Sequence, residues 1–458
     1  MTVGTCLSRR FRRAFLCFLC LCLLLSGMAS LPLGVGALDE PPQTSDVGAV
    51  LLVNLENNLT LHEREADTPI YPSSSVKIMT GLLACQSLEE RLSETVEITS
   101  AMLAGVQGRR MTPPLAEGER LTVRDLLYAA VCGGYNDASL AVACLVSGSV
   151  AAFVEDMNKE AQRLGTIHTR YTNPTGLHDP AMATSVRDVS LIAREAYGND
   201  LYMQISSART YTVPATNIAD ARSFTNRNSL ISDSSRNYFN GHCRGMNAGM
   251  TDEGGWCVVT VWERDGAANL CIAMRGRDAS ADELIPAYVY VNRLLAWANR
   301  SYGYRTVLIA GETLDTLPVR MTGVSKSKAD VVPMTDLKAF LPSDVLPDAQ
   351  LTVSTQFPEG GLTAPLTAGQ AVGTVTVSYQ GRVVGKAELT VTEDFASSGF
   401  LTGLMGFREY LTSRPFLITV VVFLLSLAVY LRLTTGPGGR YGLRSVNRRR
   451  IKLVKRRY

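Results

Sequence analysis

The stretch PSSSVKIMT, residues 72–80, places a serine three residues before a lysine. Apolar residues continue from it with helical spacing, so Ser74 and Lys77 are predicted at the beginning of a helix. One helical turn puts the serine hydroxyl beside the lysine amine, and a helix N-terminus stabilises negative charge that develops there. Burial, or a neighbouring cation, lowers the pKa of a lysine enough for it to accept the serine proton. The stretch therefore predicts a nucleophilic serine with a lysine as its base.

Spacing alone is weak evidence, because a serine three residues before a lysine recurs at residues 325–328. That second copy lies in a stretch rich in predicted strands, and we interpret it as a solvated turn. A purely structural role for Ser74, as the capping residue of its helix, is the alternative. The apolar surroundings of residues 72–80 favour the chemical interpretation, because the reaction needs a buried and oriented base.

Strands and helices alternate around this stretch. Two hairpins are predicted, with turns at Asn57-Asn58 and at Asp265-Gly266, because alternating apolar residues flank each turn. Helical spacing recurs in three segments: residues 122–146 with a break at Gly133-Gly134, residues 187–197, and residues 282–299. Strands at both ends of the region, with helices between and after them, predict an α/β sandwich in which helices cover one antiparallel sheet.

The character of the chain changes after residue 300. Residues 301–395 lose helical periodicity and show short alternating strands, which predict a small all-β domain. Residues 396–414 place apolar side chains near one helical face and are predicted to form an amphipathic linker. Residues 415–433 are predicted to be a transmembrane helix, followed by a basic cytoplasmic tail at 434–458.

Charge is distributed in a way that indicates membrane topology. Residues 1–37 contain four arginines, no acidic residue and an apolar run that ends at Val35-Gly36-Ala37, which predicts a signal peptide cleaved after Ala37. Positive residues remain on the cytoplasmic side, so residues 38–414 are predicted to lie on the outer side of a bacterial cytoplasmic membrane. Basic ends around an acidic middle do not favour a nucleic-acid partner, which would require positive charge on a folded face.

Cysteine and histidine give no sign of a metal site or of a cofactor. Six cysteines follow residue 37, none of them in a C-x-x-C pair, and the histidines never form H-E-x-x-H. We interpret most of these cysteines as small buried apolar residues. No metal and no cofactor is therefore predicted.

Residues 72–80 are similar to the P-A-S-x-x-K-I-M-T segment of the low-molecular-mass penicillin-binding proteins, the serine D-alanyl-D-alanine carboxypeptidases. Further stretches resemble the same family: residues 126–138 with GYNDA at 134–138, YTNPTGL at 171–177 with Ser185 and Arg187-Asp188 after it, and GQAVG at 369–373. The order of signal, catalytic domain, β-domain, amphipathic segment and anchor also resembles that of the family. The resemblance covers residues 38 to about 433 and is specific as a set.

This resemblance implies a penicillin-binding or β-lactamase-like transpeptidase fold for residues 38–300, peptidoglycan stem peptides as substrates and β-lactams as candidate ligands. Two of the three family motifs are altered. The S-x-N motif has Gly134 in place of its serine and keeps Asn136, and the K-T-G motif reads Asn247, Ala248 and Gly249. The resemblance implies that the lysine and the threonine of this motif hold the terminal carboxylate of the substrate. Arg244 is not expected to replace the missing lysine, because residues i and i+3 of a strand face opposite ways.

Two functions follow from this resemblance. The first is a carboxypeptidase that removes the terminal D-Ala of stem peptides through an acyl-enzyme on Ser74. In it, Lys77 is the base, Asn136 orients the substrate and keeps Lys77 hydrogen-bonded, and Asn247 and Gly249 bind the substrate. Backbone N–H groups, of Ser74 and of the strand after Gly249, would form the oxyanion hole.

The second is a catalytically impaired relative that binds or organises peptidoglycan. The altered second and third motifs favour this alternative, whereas the intact Ser74 and Lys77 favour the enzyme.

Overall fold

The computed structural model describes residues 40–232, 237–322, 327–345 and 350–435. The predicted signal peptide, nearly all of the basic tail, and Ser325-Lys326 of the second serine-lysine copy lie outside these residues. The strands are β1 Val47–Asn54, β2 Thr60–Arg64, β3 Thr95–Glu97, β4 Arg120–Thr122, β5 Thr210–Val213, β6 Arg222–Thr225, β7 Cys243–Thr251, β8 Gly255–Arg264, β9 Ala267–Gly276, β10 Tyr302–Leu308, β11 Asp315–Arg320, β12 Lys328–Pro333, β13 Leu337–Pro342, β14 Leu351–Gln356, β15 Leu362–Thr363, β16 Ala371–Tyr379 and β17 Arg382–Val391. The α-helices are α1 Val76–Leu88, α2 Val123–Val131, α3 Asn136–Ser147, α4 Val150–Arg163, α5 Val186–Tyr197, α6 Asp200–Ser206, α7 Pro286–Ser301, α8 Gly399–Thr412 and α9 Arg414–Thr435.

A five-stranded sheet in the order β2-β1-β9-β8-β7 organises the first part of the chain. Its neighbours are antiparallel, and β1 from the beginning of the region pairs with β9 from its end, for example Leu51 with Ile272. Both faces of the sheet are covered, which explains why β1 is apolar almost throughout rather than at alternate positions. Strand β7 forms one edge, and no described strand pairs with its outer side.

Two apolar clusters sandwich this sheet. On one face the side chains of α1 to α6 pack against alternate residues of the strands, such as Val259 and Ile272. On the other face α7 packs against the intervening residues, such as Val258 and Cys271. Helix α1 lies inside the first layer and is buried on nearly every side, including its lysine, Lys77. This is the predicted α/β sandwich, and it is confirmed.

The predicted hairpins and the helix break are also confirmed. Asp265 and Gly266 both have positive φ, as a two-residue hairpin turn requires, and they join β8 to β9. Helices α2 and α3 are separated at Gly133-Gly134. The prediction of a helix over residues 282–299 was wrong at its beginning, because α7 begins at Pro286. Proline is favoured at the first helical position, and the preceding residues form a loop instead.

Compact packing divides the chain into two units. Of the described residues, the first unit contains those up to Val307 together with those within 338–353 and 376–386. The second contains those within 308–337 and 354–375 and those from Ala387 onward. The region from β10 to β17 consists of strands and the loops between them. Six of these strands form a sheet in the order β14-β16-β17-β12-β11-β15. The predicted all-β region is therefore present.

Two helices close the described chain. Helix α8 begins after Ser398, whose hydroxyl accepts a hydrogen bond from the backbone N–H of Leu401. Helix α9 contains a 21-residue segment, Arg414–Thr434, with a mean hydropathy of 2.5, which is long and apolar enough to cross a membrane. Within the described residues it is the one single helix that meets these criteria.

Candidate active site

Ser74 lies in a short 3₁₀ turn, Ser73–Ser75, that leads directly into α1. The Ser75 hydroxyl donates to the Pro72 carbonyl at 2.6 Å and holds this turn. The hydroxyl of Ser74 faces Gly249 on the edge strand β7, so closely that a Cβ on Gly249 would lie 2.3 Å from the Ser74 Oγ. The capping position of α1 belongs to Ser75 rather than Ser74, so the structure does not support the alternative of a capping role for Ser74.

Lys77 is on the first turn of α1, and 4% of its surface is exposed. Its Nζ donates a hydrogen bond to the backbone carbonyl of Thr175. Burial lowers the pKa of Lys77 to about 7, and the nearby positive charges of Arg227 and Arg109 act in the same direction. A substantial fraction of this amine is therefore neutral near pH 7 and able to accept a proton.

The segment Asn173–Leu177 is shaped to meet Lys77. The Asn173 Oδ1 accepts hydrogen bonds from the backbone N–H of Thr175 at 3.1 Å, the Thr175 hydroxyl at 2.8 Å and the backbone N–H of Gly176 at 2.9 Å. Gly176 has φ +76°, and a Cβ there would lie 2.1 Å from the Ser73 carbonyl oxygen. The turn therefore packs directly against the backbone of the serine segment and presents the Thr175 carbonyl to the lysine.

Asn136 begins α3 and is buried. Its side-chain amide donates to the Gln107 carbonyl at 2.9 Å, and its backbone N–H donates to the Arg109 carbonyl at 2.7 Å. The expected hydrogen bond between Asn136 and Lys77 is not formed among the described residues, so that expectation was wrong. Instead, the Lys77 amine donates to the Thr175 carbonyl, and the Asn136 amide donates to the Gln107 carbonyl.

Asp137 fixes the loop that Asn136 touches. Its carboxylate accepts hydrogen bonds from the backbone N–H of Met111 at 3.2 Å and of Leu115 at 3.2 Å. Burial raises the pKa of Asp137 above its usual value. A buried ion pair also holds this loop. Arg222 of β6 pairs with Glu119 and donates to the Pro113 carbonyl at 3.0 Å. The loop over residues 104–119 is thereby held at several points.

The altered third motif lies on β7. Asn247 and Gly249 are two residues apart on the strand, so they face the same side of the sheet as Ser74. Asn247 is 5% exposed, and its Oδ1 has no hydrogen-bond partner in the part of the chain that the structure describes. Ala248 faces the opposite way and is fully buried in the cluster against α7. A threonine in place of Ala248 would therefore face that cluster.

The altered second motif lies beside an arginine. Gly134 has φ +66°, and a Cβ there would lie 3.5 Å from the Cβ and the Cγ of Arg227. The backbone N–H of Arg227 donates to the Cys132 carbonyl at 3.0 Å, which fixes the arginine beside the α2–α3 break. Arg244, by contrast, forms an ion pair with Glu263 at 2.8 Å.

Sequence reasoning missed three contributors to this site: the Thr175 carbonyl, Arg109 and Arg227. An Asn-Pro-Thr-Gly segment is a turn signal, so the presence of a turn at 173–176 could have been found, but not the lysine it meets. Nothing in the local sequence distinguishes Arg109 or Arg227 from the other arginines. Chemically, a serine hydroxyl, a buried low-pKa amine and an open strand edge are suited to acyl transfer.

Comparison with known proteins identifies the class. Residues 37–276, more than half of the chain, match the family described as D-alanyl-D-alanine carboxypeptidase, and residues 302–397 match the C-terminal domain of penicillin-binding protein 5. The chain therefore belongs to the D-alanyl-D-alanine carboxypeptidase family. It is similar to the D-alanyl-D-alanine carboxypeptidase DacF of Bacillus subtilis, with 24% identity over 363 residues, 78% of this chain and 87% of the relative. It is also similar to DacC of Escherichia coli, with 26% identity over 371 residues, 78% of this chain and 86% of the relative.

Solved structures show the same fold. Penicillin-binding protein 5 from Haemophilus influenzae superposes with a TM-score of 0.56 at 24% identity, covering 78% of this chain and 100% of that chain. A peptidoglycan synthesis regulatory factor, PBP3, from Streptococcus pneumoniae gives a TM-score of 0.61 at 17% identity, covering 77% and 100%. The resemblance seen in the sequence and the predicted fold class are thus confirmed. The family and these curated relatives are D-Ala-D-Ala carboxypeptidases, and nothing in the comparisons favours the non-catalytic alternative.

Proposed function

We propose that this protein is a serine-type D-Ala-D-Ala carboxypeptidase that removes the terminal D-Ala of peptidoglycan stem peptides through an acyl-enzyme on Ser74. One observation carries the proposal: the Ser74 hydroxyl faces Gly249 on the edge strand β7. Ser74 also precedes by three residues the buried Lys77, whose pKa is lowered. An extended peptide can pair with such an edge and bring its scissile carbonyl to the serine. Membership of the family supports the same activity.

In the acylation step, the neutral Nζ of Lys77 accepts the proton of Ser74, and the Ser74 Oγ bonds to the carbonyl carbon of the penultimate D-Ala. Backbone N–H groups of Ser74 and of β7 beyond Gly249 stabilise the oxyanion. The bond from that carbon to the nitrogen of the terminal D-Ala then breaks. The leaving nitrogen takes its proton from Lys77, which returns to the neutral form.

In the deacylation step, Lys77 takes a proton from a water molecule, whose oxygen attacks the ester carbon of the acyl-enzyme. The bond to the Ser74 Oγ breaks, and the serine recovers its proton from Lys77. The products are the shortened stem peptide and a regenerated enzyme. We assign substrate orientation to Asn136 and substrate binding to Asn247, whose buried Oδ1 has no hydrogen-bond partner within the described residues.

We also propose that the protein is held in a bacterial cytoplasmic membrane by α9, with the catalytic body on the outer side. The 21-residue apolar segment of α9 supports a single span. The basic residues beyond it support a cytoplasmic tail, since positive charge stays on that side.

The proposed chemistry is tested by intact-mass analysis of the full chain, purified in detergent and incubated with a penicillin. We expect the mass to rise by that of one penicillin, because opening of the strained ring leaves an acyl group on Ser74. The matched control is Ser74→Ala, which should show no increase. Absence of the adduct in a correctly folded wild-type chain would contradict the serine mechanism and favour a role in peptidoglycan binding alone.

A further inference from the structure

Two arginines, Arg109 and Arg227, lie beside the altered second motif and act on the nearby Lys77. Each of the two guanidinium groups lies near enough to Lys77 to act on its charge, and they act on each other. Within the described residues, neither Arg109 nor Arg227 forms an ion pair with a carboxylate, although many other arginines of this chain do. Like charges gathered without a counter-charge are unfavourable, and an anionic ligand would relieve the repulsion.

Arg109 forms one side of this cluster. It lies on the loop that Asn136 and Asp137 hold, and its Nε donates to the Gly133 carbonyl at 3.3 Å. Its Cζ lies 4.8 Å from the centre of the Tyr135 ring, a cation–π contact that keeps the guanidinium beside the altered second motif. The side chain is exposed, so a ligand can reach it.

Arg227 forms the opposite side. Its Cβ and Cγ lie next to the position that a Gly134 side chain would take, and its Cζ lies 5.6 Å from the centre of the Trp256 ring. The residue is half-buried, and burial, followed by the charge of Arg109, lowers the pKa of its guanidinium. An arginine in this setting remains charged near neutral pH, unlike Lys77. Arg109 and Arg227 thus reach the α2–α3 break from two different loops.

We propose that Arg109 and Arg227 together bind the terminal carboxylate of the substrate, the task that the resemblance assigns to a lysine where this chain has Asn247. This inference rests on the proposed function of the site, since it names the group that the site recognises. A guanidinium matches the two oxygens of a carboxylate with paired N–H donors, and two of them supply the charge that Asn247 lacks. Gly134 adds no side chain beside Arg227.

The test compares two ligands of the full chain in detergent: an N-acylated peptide ending in D-Ala-D-Ala, and the same peptide with a C-terminal amide. Binding is measured in the Ser74→Ala background, so that turnover is not required. We expect the free acid to bind at least about 10-fold more tightly than the amide. In Arg109→Gln and in Arg227→Gln this ratio should fall several-fold, and in the double variant it should approach one.

Two control variants accompany the test. Arg110→Gln changes an exposed arginine on the same loop, whose side chain donates to the Val106 carbonyl, and should leave the ratio unchanged. Arg227→Lys keeps a charge at a half-buried position and should retain part of the preference, which separates loss of charge from loss of folding.

The outcomes distinguish this inference from the proposed function. An unchanged acid-to-amide ratio in a folded double variant would overturn the two-arginine site, whatever the activity of the wild type. The wild type could instead prefer the free acid, lose that preference when both arginines are changed, and yet release no D-Ala. This result would support the carboxylate site and count only against the carboxypeptidase function.

Discussion

At the residue scale, the site depends on one close approach, that of Ser74 to Gly249. The two residues come from different layers of the sandwich, and their separation leaves no room for a Cβ on the strand. A glycine at this position also lets the backbone of a bound peptide lie against β7. The requirement for glycine is therefore steric, and it does not come from a positive φ.

Gly249→Ala is expected to lower the rate of acylation by penicillin by about 100-fold or more, because the added Cβ would displace the Ser74 hydroxyl. The second-order rate constant of acylation measures this. Gly303→Ala is the matched control, since a Cβ on Gly303 meets no atom within 4 Å and should leave the rate unchanged. An equal rate in both variants would show that the close approach of Gly249 to Ser74 does not limit acylation.

The pH dependence of acylation should follow Lys77. Because the neutral amine is the base, and burial lowers its pKa to about 7, the acylation rate should rise with pH through about 7 and level off above it. Arg109→Gln removes a nearby positive charge and should move the midpoint to higher pH, whereas Arg110→Gln should not. A profile that is flat between pH 5 and 9 would rule out Lys77 as the titrating base.

The same lowered pKa makes a prediction about stability. The pKa of Lys77 is about 7 in the folded chain, and that of an ordinary lysine is 10.5. Between these two pH values the unfolded chain binds more protons than the folded chain. The free energy of unfolding therefore rises with pH in this window, and charge burial costs stability at its lower end. Lys77→Met should raise the urea midpoint at pH 7 and abolish acylation, which denaturation and intact-mass measurements check.

At the element scale, two irregular segments complete the site around α1: the turn Asn173–Leu177 and the loop over residues 104–119. The turn presents the Thr175 carbonyl to Lys77, and the loop carries Arg109 to the opposite side of the site. The Asn173 side chain holds the turn, and the buried carboxylate of Asp137 holds part of the loop. Both segments are irregular, but a side-chain oxygen fixed in place accepts hydrogen bonds from their backbone N–H groups, and this holds them in position.

Asn173→Ala should therefore weaken both folding and catalysis. Three donors lose their acceptor, and we expect the free energy of unfolding to fall by about 2–3 kcal/mol and acylation to slow by about 10-fold or more. Asp179→Ala is the control, because Asp179 accepts from the Ala181 N–H at 2.8 Å in an exposed turn nearby. Urea denaturation and acylation rates check both effects. Acylation at the wild-type rate in Asn173→Ala would show that the Thr175 carbonyl does not orient the lysine.

At the scale of the whole molecule, the proposed acyl-transfer site and the apolar helix α9 belong to different compact units. The first unit contains every residue to which we assign a role in catalysis or substrate binding. The second contains α8 and α9, with the apolar side chains that could meet a membrane. The proposed chemistry and the proposed membrane anchor are therefore assigned to separate parts of the chain.

The proposed topology predicts the outcome of proteolysis on intact spheroplasts of cells that carry the full chain with a C-terminal tag. Protease added outside should digest the body and leave a short tagged fragment that contains α9 and the tail. Lysed spheroplasts are the control, in which the tag should also be lost. A body that resists protease until lysis would contradict an outer location.

Much of the fold could be predicted from the sequence, because the signals for it are local. The Asp265-Gly266 turn, the interruption at Gly133-Gly134 and the helical spacing after Ser74 each depend on residues close together in the chain. The beginning of α7 was predicted wrongly because apolar residues before Pro286 continued the pattern without continuing the helix.

The sequence by itself therefore determined the layers of the sandwich and the candidate nucleophile and base, Ser74 and Lys77. Only the tertiary structure decided what surrounds them: Gly249 against the hydroxyl, the Thr175 carbonyl on the amine, and Arg109 and Arg227 beside the altered second motif. These partners are far from Ser74 along the chain. Periodicity and turn signals describe neighbours in sequence, whereas the contacts that complete the site arise when the sheet and the helices pack together.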